Sequence, residues 1–239
     1  MSQWKWQSLF QLSQIHGVTP WVADGIRNLH DDFFLQLSDE LRGKFLADTT
    51  SRTNVREHIS LTNPLLDRRL QELYDEAGSE DATFNLLQDI LSLSNNIISR
   101  GVNLRQLIWL GQGQRSNDHA VMYDVLSNWI VRLHLQRMVQ LEAALLIELF
   151  HFKPEEIRFT DTIPAGNTES VVQDIFHKTQ QNAAEWYFTQ GESIFVRANN
   201  SNSMLWHMRQ PIKYLRYYPS EAVTSFFANF THSLTHIEE

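Results

Sequence analysis

The chain has 239 residues, a formal net charge of −8 and no cysteine. Its hydrophobic fraction of 42% and charged fraction of 20% are those of a soluble globular protein with a substantial core. The negative charge disfavours nucleic-acid binding, which needs a basic face, and the lack of cysteine excludes disulfides, thiolate zinc sites and cysteine nucleophiles. No run of about 18 uncharged apolar residues and no signal peptide is present, so we expect a cytoplasmic protein without a membrane span.

The first half of the chain predicts helices, because helix formers dominate and only 9 glycines and 6 prolines interrupt them. A first helix is expected over residues 4–15. Thr19 is the expected N-cap of the second helix, with Pro20 at its first position. Ser38 is the expected cap of the third, which begins with two acidic residues that oppose the positive end of the helix.

The central helices carry clear boundary signals. Asn63 caps one helix, Pro64 begins it and Gly78 can end it in the left-handed conformation. A second helix is expected over residues 82–101. A long helix over about residues 119–150 has an apolar stripe, so we expect it to form the core of the domain.

The C-terminal third is also predicted to be helical. Pro154 begins a short helix, and longer helices are expected over residues 168–190, 204–216 and 219–236. The one plausible strand, residues 193–198, has no partner strand in the sequence. Helices therefore account for nearly all of this part of the chain.

These signals predict an all-α fold, an irregular multi-helix bundle of about eight to ten helices. No internal repeat is present, and no linker is long enough to separate domains. We therefore expect a single all-helical domain over residues 1–239.

A Gly-x-Gly pair, Gly111 and Gly113, is followed by Arg115 and resembles part of a phosphate-binding loop. A dinucleotide fingerprint needs a preceding strand and a third glycine, but here a helix precedes the pair and Ser116 stands at the third position. We interpret the two glycines as the end of a helix that contains residues 104–110.

Two further residue pairs have the spacing of metal ligands but lack the rest of a site. Glu148 and His151 have the Glu-x-x-His spacing of a di-iron site, and no second copy of that motif exists. His232 and His236 are four residues apart without the glutamate of a catalytic zinc motif. We predict no catalytic residue, no cofactor and no metal site.

Three segments resemble helical parts of the uncharacterised bacterial nucleotidyltransferase family, in the same order. They are "LSQIHGVTPWVADGI", "ISRGVNLRQLIWLGQGQR" and "LRYYPSEAV". Such enzymes hold Mg²⁺ on an Asp-x-Asp pair that follows a Gly-Ser turn. The candidate turn here, Gly78-Ser79, has no Asp-x-Asp after it. The resemblance therefore implies a relative that has lost its catalytic core.

The residues that carry this resemblance would then have structural roles. Pro219 begins the last helix, Glu221 favours its N-terminus, and Arg105 lies in the first turn of its own helix. The full set is Arg105, Gln106, Tyr217, Pro219 and Glu221.

These observations favour a non-catalytic helical protein that binds or scaffolds another protein, or that forms a homo-oligomer. The alternative is a nucleotide-binding or nucleotidyltransferase-like enzyme whose site is built from dispersed side chains. Its candidates for binding an anionic ligand are Arg105, Arg115, His134 and Arg137. An exposed apolar patch would support the first hypothesis, and a cluster of carboxylates in a cleft would support the second.

Overall fold

The computed structural model describes most of the chain. The described residues are 2–29, 37–47, 59–78, 81–116, 119–162, 168–175 without 170 and 174, and 210–235, with side chains as far as 231. Every secondary-structure element in these ranges is a helix, which confirms the predicted all-α fold. The predicted strand, residues 193–198, lies outside the described residues. No helix within the described ranges is long and apolar enough to cross a bilayer.

The helices are numbered here in chain order. They are α1 (Gln3–Ile15), α2 (Thr19–Asn28), α3 (Asp39–Ala47), α4 (Pro64–Ala77), α5 (Ala82–Ser99), α6 (Leu104–Ser116), α7 (Tyr123–Arg132), α8 (Gln136–Phe150), a 3-10 turn (Pro154–Glu156) and α9 (Pro219–Thr235). The chain divides into two compact units. One comprises Met1–Val55 with Gln173–Ile194, and the other comprises Arg56–Val172 with Phe195–Glu239. The single domain over residues 1–239 stays a prediction.

The first unit contains α1, α2 and α3, packed around a small aromatic core. The ring centroids of Phe10 and Phe45 lie 4.9 Å apart in an edge-to-face arrangement. Ser38 caps α3 as predicted, because its hydroxyl oxygen accepts a hydrogen bond from the N–H of Leu41. The core residues are Trp6, Ala23, Ile26, Leu41 and Phe45.

The predicted cap of α2 is wrong by one residue. Thr19 is the first residue of the helix rather than its cap, and Val18 takes the cap position. The Thr19 hydroxyl lies 3.2 Å from that of Ser13 in a buried pair, so it is used between α1 and α2 and not at the helix end. Pro20 still lies in the first turn, where its missing N–H breaks no helical hydrogen bond.

The second unit begins with α4, whose two ends agree with the sequence signals. The Asn63 side-chain oxygen accepts hydrogen bonds from the N–H groups of Leu65 and Leu66, at 3.0 and 3.3 Å. Pro64 is the first helical residue. At the other end Gly78 has φ +80° and ψ 160°, a positive-φ conformation that favours glycine, although not the left-handed helical one.

The core of the second unit is built around α5. Eleven of its 18 residues are buried, which is expected for a helix that packs against several others. Its neighbours are α4, α6, α7, α8 and α9.

The single long helix predicted over residues 119–150 is wrong, because the chain forms α7 and α8 with a break between them. His134 at the break has φ +57°, and the N–H of Leu135 bonds back to the carbonyl of Ile130. This is a left-handed helix ending formed by a non-glycine residue. The sequence has no glycine or proline at this point and its apolar pattern is continuous. It therefore predicts one helix where the structure has two.

The interpretation of the Gly-x-Gly pair as a helix end is also wrong. Helix α6 continues through both glycines to Ser116. A Cβ atom on Gly111 would lie only 2.8 Å from the Cζ atom of Phe152, and one on Gly113 would lie 3.2 Å from a carboxylate oxygen of Asp89. The glycines therefore allow neighbouring side chains to approach α6 closely, and they do not end it.

Candidate functional site

The two arginine candidates on α6 lie at opposite ends of the helix. Arg105 and Arg115 are ten residues apart, about 15 Å along the axis. The Arg105 guanidinium lies 4.4 Å from the centre of the Trp109 ring. Arg115 pairs with Glu156 at 2.9 Å and covers the Phe152 ring at 3.9 Å. Each of these two arginines thus contacts side chains of its own chain.

The Glu156 carboxylate is held in place from two sides. The backbone N–H of Lys153 donates to it at 2.7 Å, and Arg115 binds its other oxygen. These contacts, first the Lys153 N–H and then Arg115, hold the pKa of Glu156 below its ordinary value. The Arg115 contact therefore fastens the 3-10 turn to the end of α6.

The other two candidates lie on either side of the break between α7 and α8. The His134 Nε2 atom lies 3.2 Å from an Nη atom of Arg69, which also donates to the carbonyl of Arg132 at 2.9 Å. Arg137, in the first turn of α8, donates to the carbonyl of Arg216 at 3.2 Å. The structure therefore brings Arg137 to a segment that sequence reasoning did not connect with it.

That segment precedes α9 and consists of a helical turn over 210–213 followed by turns over 214–217. Three N–H groups, at positions 214, 215 and 217, bond to the carbonyl three residues earlier, and that of Tyr218 bonds to the carbonyl of Tyr214. In helical turns of this kind, side chains three residues apart lie on the same side. Lys213 and Arg216 therefore share one side of the segment, and Ile212 and Leu215 share another. All four of these side chains are exposed.

We call Arg137, Lys213 and Arg216 the basic cluster. The Arg216 guanidinium lies 4.5 Å from the centre of the Tyr217 ring and donates to its phenol oxygen. Within the described part of the chain, neither Arg137 nor Arg216 forms an ion pair with a carboxylate. The cluster is thus a local positive surface on a chain whose net charge is −8.

Helix α9 presents an exposed apolar surface, which we call the α9 aromatic face. Its residues follow the i, i+3, i+4, i+7 spacing of one side of a helix: Val223, Phe226, Phe227 and Phe230. Phe227 is 58% exposed, Val223 42% and Phe230 37%. The rings of Phe226 and Phe230 are nearly parallel, with centroids 6.4 Å apart. Three exposed apolar side chains and the partly buried Phe226 thus form one row along the helix.

The first turn of α9 is packed inward at two positions. Ala222 and Glu221 are 1% and 2% exposed. The Glu221 carboxylate accepts hydrogen bonds from the backbone N–H groups of Thr62 and Asn63, just before α4. A carboxylate with two charge-assisted bonds is a strong attachment, so the orientation of α9 on this unit is well defined.

A polar cleft of about 260 Å³ lies beside α7 and α8. Arg158 and Tyr123 both line this cleft, and the Arg158 guanidinium lies 4.4 Å from the centre of the Tyr123 ring. Asp124 and Asp161 also line the cleft. Its lining is Tyr123, Asp124, Ser127, Ile130, Val131, Gln136, Val139, Gln140, Arg158, Phe159, Thr160, Asp161 and Thr162. In the described ranges no group of three or more histidine, aspartate or glutamate side chains lies close enough to hold a metal ion.

A buried carboxyl group lies in the core of this unit. The Ser94 hydroxyl donates to Glu142 at 2.8 Å, and both residues are fully buried. Burial raises the pKa of Glu142 well above its ordinary value, against the smaller opposing effect of the Ser94 hydrogen bond. A group at this depth does not reach a ligand, and its raised pKa makes the stability of the fold depend on pH.

Sequence reasoning missed both the α9 aromatic face and the basic cluster. The aromatic spacing was visible in the sequence, but the same spacing is typical of a core helix. The contact between Arg137 and Arg216 joins residues that are 79 positions apart, so no local pattern signals it.

No family model, curated protein or solved structure matches this chain. The resemblance to nucleotidyltransferases therefore stays a prediction, and inferences about function depend on the residues themselves.

Proposed function

We propose that this chain is a non-catalytic, cytoplasmic helical binding module that associates with a second copy of itself through the α9 aromatic face. The observation that carries the proposal is the outward orientation of that face. Full burial of a phenylalanine or valine side chain contributes about 1.5–3 kcal/mol. Apolar anchors at this spacing are the pattern by which helices bind grooves and other helices.

The absence of aspartate, glutamate, lysine and arginine from α9 after Glu221 favours a second copy as the occupant. Between Glu221 and Glu238 the sequence contains no aspartate, glutamate, lysine or arginine. In a two-fold symmetric contact the same patch meets itself, so charged residues on it would repel their own copies. An uncharged patch avoids this repulsion even in a chain with a net charge of −8.

The shape of the face also suits self-association. Small residues stand at positions 224, 228 and 231, which are three before, one after and four after Phe227. Large side chains of one helix can therefore enter the gaps beside small side chains of the other, as in packed helix pairs.

The proposal is tested by measuring molecular mass in solution over a concentration series, by sedimentation velocity and light scattering. We expect the wild-type chain to dimerise, and Phe227→Asp to weaken the dimer at least about tenfold, because a carboxylate would be buried in an apolar contact. The matched control is Leu65→Asp, since Leu65 is 73% exposed on α4 and is not part of the α9 aromatic face. A wild-type chain that stays monomeric, or equal effects of the two variants, would refute the proposal.

The polar cleft supports the second candidate, a nucleotide-binding enzyme. It combines a cation, Arg158, with the two carboxylates Asp124 and Asp161, a combination that could bind a metal–nucleotide complex. Thermal unfolding with ATP and Mg²⁺ distinguishes the candidates, because a ligand of the native state raises Tm. We expect no shift. A shift that Arg158→Ala abolishes would favour the enzyme.

A further inference from the structure

The polar cleft beside α7 and α8 has a charged rim above an apolar floor. The charged side chains that line it, Asp124, Arg158 and Asp161, are all exposed. Beneath them, three apolar side chains of the lining are buried: Ile130, Val139 and Phe159. A ligand that fits this arrangement has charged groups for the rim and a hydrocarbon part for the floor.

The cleft is held in shape by contacts with other helices. The buried Gln114 side chain of α6 donates from its Nε2 atom to the phenol oxygen of Tyr123 at 2.6 Å. The backbone N–H of Met122, just before α7, donates to the Thr83 hydroxyl of α5 at 3.0 Å. The residues on either side of Arg158 are both buried. The rim therefore has a position that the core of the unit sets, as is usual for a small-molecule site.

The charges on the rim indicate the charge of the ligand. Within the described ranges, neither Asp124 nor Asp161 forms an ion pair with a cation of the chain. Arg158 has five N–H donors, so it can bind a carboxylate in addition to its contacts within the chain. One cation and two carboxylates are complementary to a ligand with two cationic groups and one carboxylate. A nucleoside triphosphate without its metal has the opposite charge.

The volume of the cleft limits the size of that ligand. At about 260 Å³ it is smaller than the pockets of about 300–1,000 Å³ that hold drug-sized molecules. We propose that the cleft binds a basic amino acid such as lysine. Its carboxylate binds Arg158, its two ammonium groups bind Asp124 and Asp161, and its hydrocarbon stem lies on the apolar floor. No residue of the α9 aromatic face lines the cleft, so this inference is independent of the proposed dimer.

Calorimetric titration of the full chain with L-lysine and with analogues tests the inference. We expect a Kd of about 1 mM or lower for lysine. Three analogues each lack one charged group: cadaverine the carboxylate, norleucine the side-chain ammonium, and lysine acetylated at its α-amino group the other ammonium. Each should bind at least about fivefold more weakly than lysine. Absence of lysine binding at about 10 mM, or an analogue that binds as tightly as lysine, would overturn the proposal.

Substitutions at the rim assign each charged group of the ligand to its partner. Arg158→Ala should weaken lysine binding about tenfold and leave cadaverine binding within about twofold, because cadaverine has no carboxylate to lose. Asp161→Asn should weaken the binding of both. The matched control is Arg68→Ala, since Arg68 is an exposed arginine of α4 that does not line the cleft.

The control should bind lysine within about twofold of wild type. Equal losses for lysine and cadaverine in Arg158→Ala would show that Arg158 does not bind the carboxylate, and they would overturn the proposal. A chain that binds lysine but stays monomeric would refute the proposed dimer and leave this inference intact.

Discussion

Helices α5 and α9 belong to the same unit and both carry apolar residues at helical spacing, yet their environments are opposite. Eleven of the 18 residues of α5 are buried, and Leu91 is completely inaccessible. On α9 Val223, Phe227 and Phe230 are exposed, and Phe226 is partly buried. The comparison teaches that an apolar stripe identifies a surface that must be covered, but not what covers it. In α5 the cover is the rest of the unit, and in α9 we propose that it is a second copy.

Attachment explains why the two helices differ. Helix α9 is joined to its unit through Glu221, whose carboxylate accepts hydrogen bonds from the backbone N–H groups of the two residues before α4. Because Glu221 holds its side of the helix against the unit, the phenylalanine side chains point away from that contact. Helix α5 has neighbours on several sides, so no side is left open.

The largest expected effect comes from truncating an apolar side chain in each helix. Leu91→Ala should lower the free energy of unfolding by about 3 kcal/mol, because it removes buried methyl groups and leaves a cavity. Phe227→Ala should change it by no more than about 0.5 kcal/mol in the monomer. Urea unfolding at low protein concentration measures both. Similar losses of unfolding free energy from the two substitutions would contradict the difference between α5 and α9.

A smaller effect is expected where a side chain is added beside the packed core. Gly111→Ala should cost about 2 kcal/mol, because the new Cβ would lie 2.8 Å from the Phe152 ring, which Arg115 covers on its face. Gly43→Ala in α3 is the control, since no atom lies within 4 Å of the added Cβ. It should gain up to about 1 kcal/mol from helix propensity. Thermal unfolding followed by circular dichroism compares them, and a stabilised Gly111→Ala chain would show that α6 packs less closely.

The smallest effect, counted per pH unit, is a pH dependence of the free energy of unfolding that arises from Glu142 in the core. Burial raises the pKa of Glu142 in the folded chain well above the ordinary value of 4.5, so between these two values the folded chain favours the neutral acid and the unfolded chain favours the carboxylate. Its contribution to stability is therefore complete below the ordinary value and is lost as pH rises toward the raised pKa, by about 1.4 kcal/mol per pH unit. Glu142→Gln cannot ionise, so its stability advantage over wild type should grow with pH.

Urea unfolding at a series of pH values gives the difference between these two chains. A difference that does not change between pH 5 and pH 8, about the range of greatest stability for most proteins, would show that Glu142 is ionised in the folded chain. Ser94→Ala serves as a second variant, because it removes the hydroxyl that donates to Glu142 without adding or removing a titratable group.

Local signals predicted several elements well. Asn63 and Pro64 begin α4, Ser38 caps α3 and Pro219 begins α9, because caps and prolines act within one turn of the chain. The break at His134 was missed because its left-handed conformation occurs without glycine, in a place where the apolar pattern continues.

The candidate site was predicted less well, because its parts are distant in the sequence. Arg137 was identified as a cation that could bind an anionic ligand, but its position beside Arg216 depends on how α8 and the segment before α9 pack. Arg115 received the same interpretation, and it forms an ion pair with Glu156. Whether a charged side chain pairs within its own chain or stays open is decided by tertiary contacts.

The sequence by itself determined that this chain is helical, where most of its helices begin, and that no cysteine chemistry is available. These properties depend on backbone preferences and side chains within a few residues of each other. Only the tertiary structure decided which apolar stripe is core and which is surface, and that Gly111 admits the Phe152 ring instead of ending α6. The physical reason is that burial is a property of the neighbours a helix acquires, and those neighbours come from distant parts of the chain.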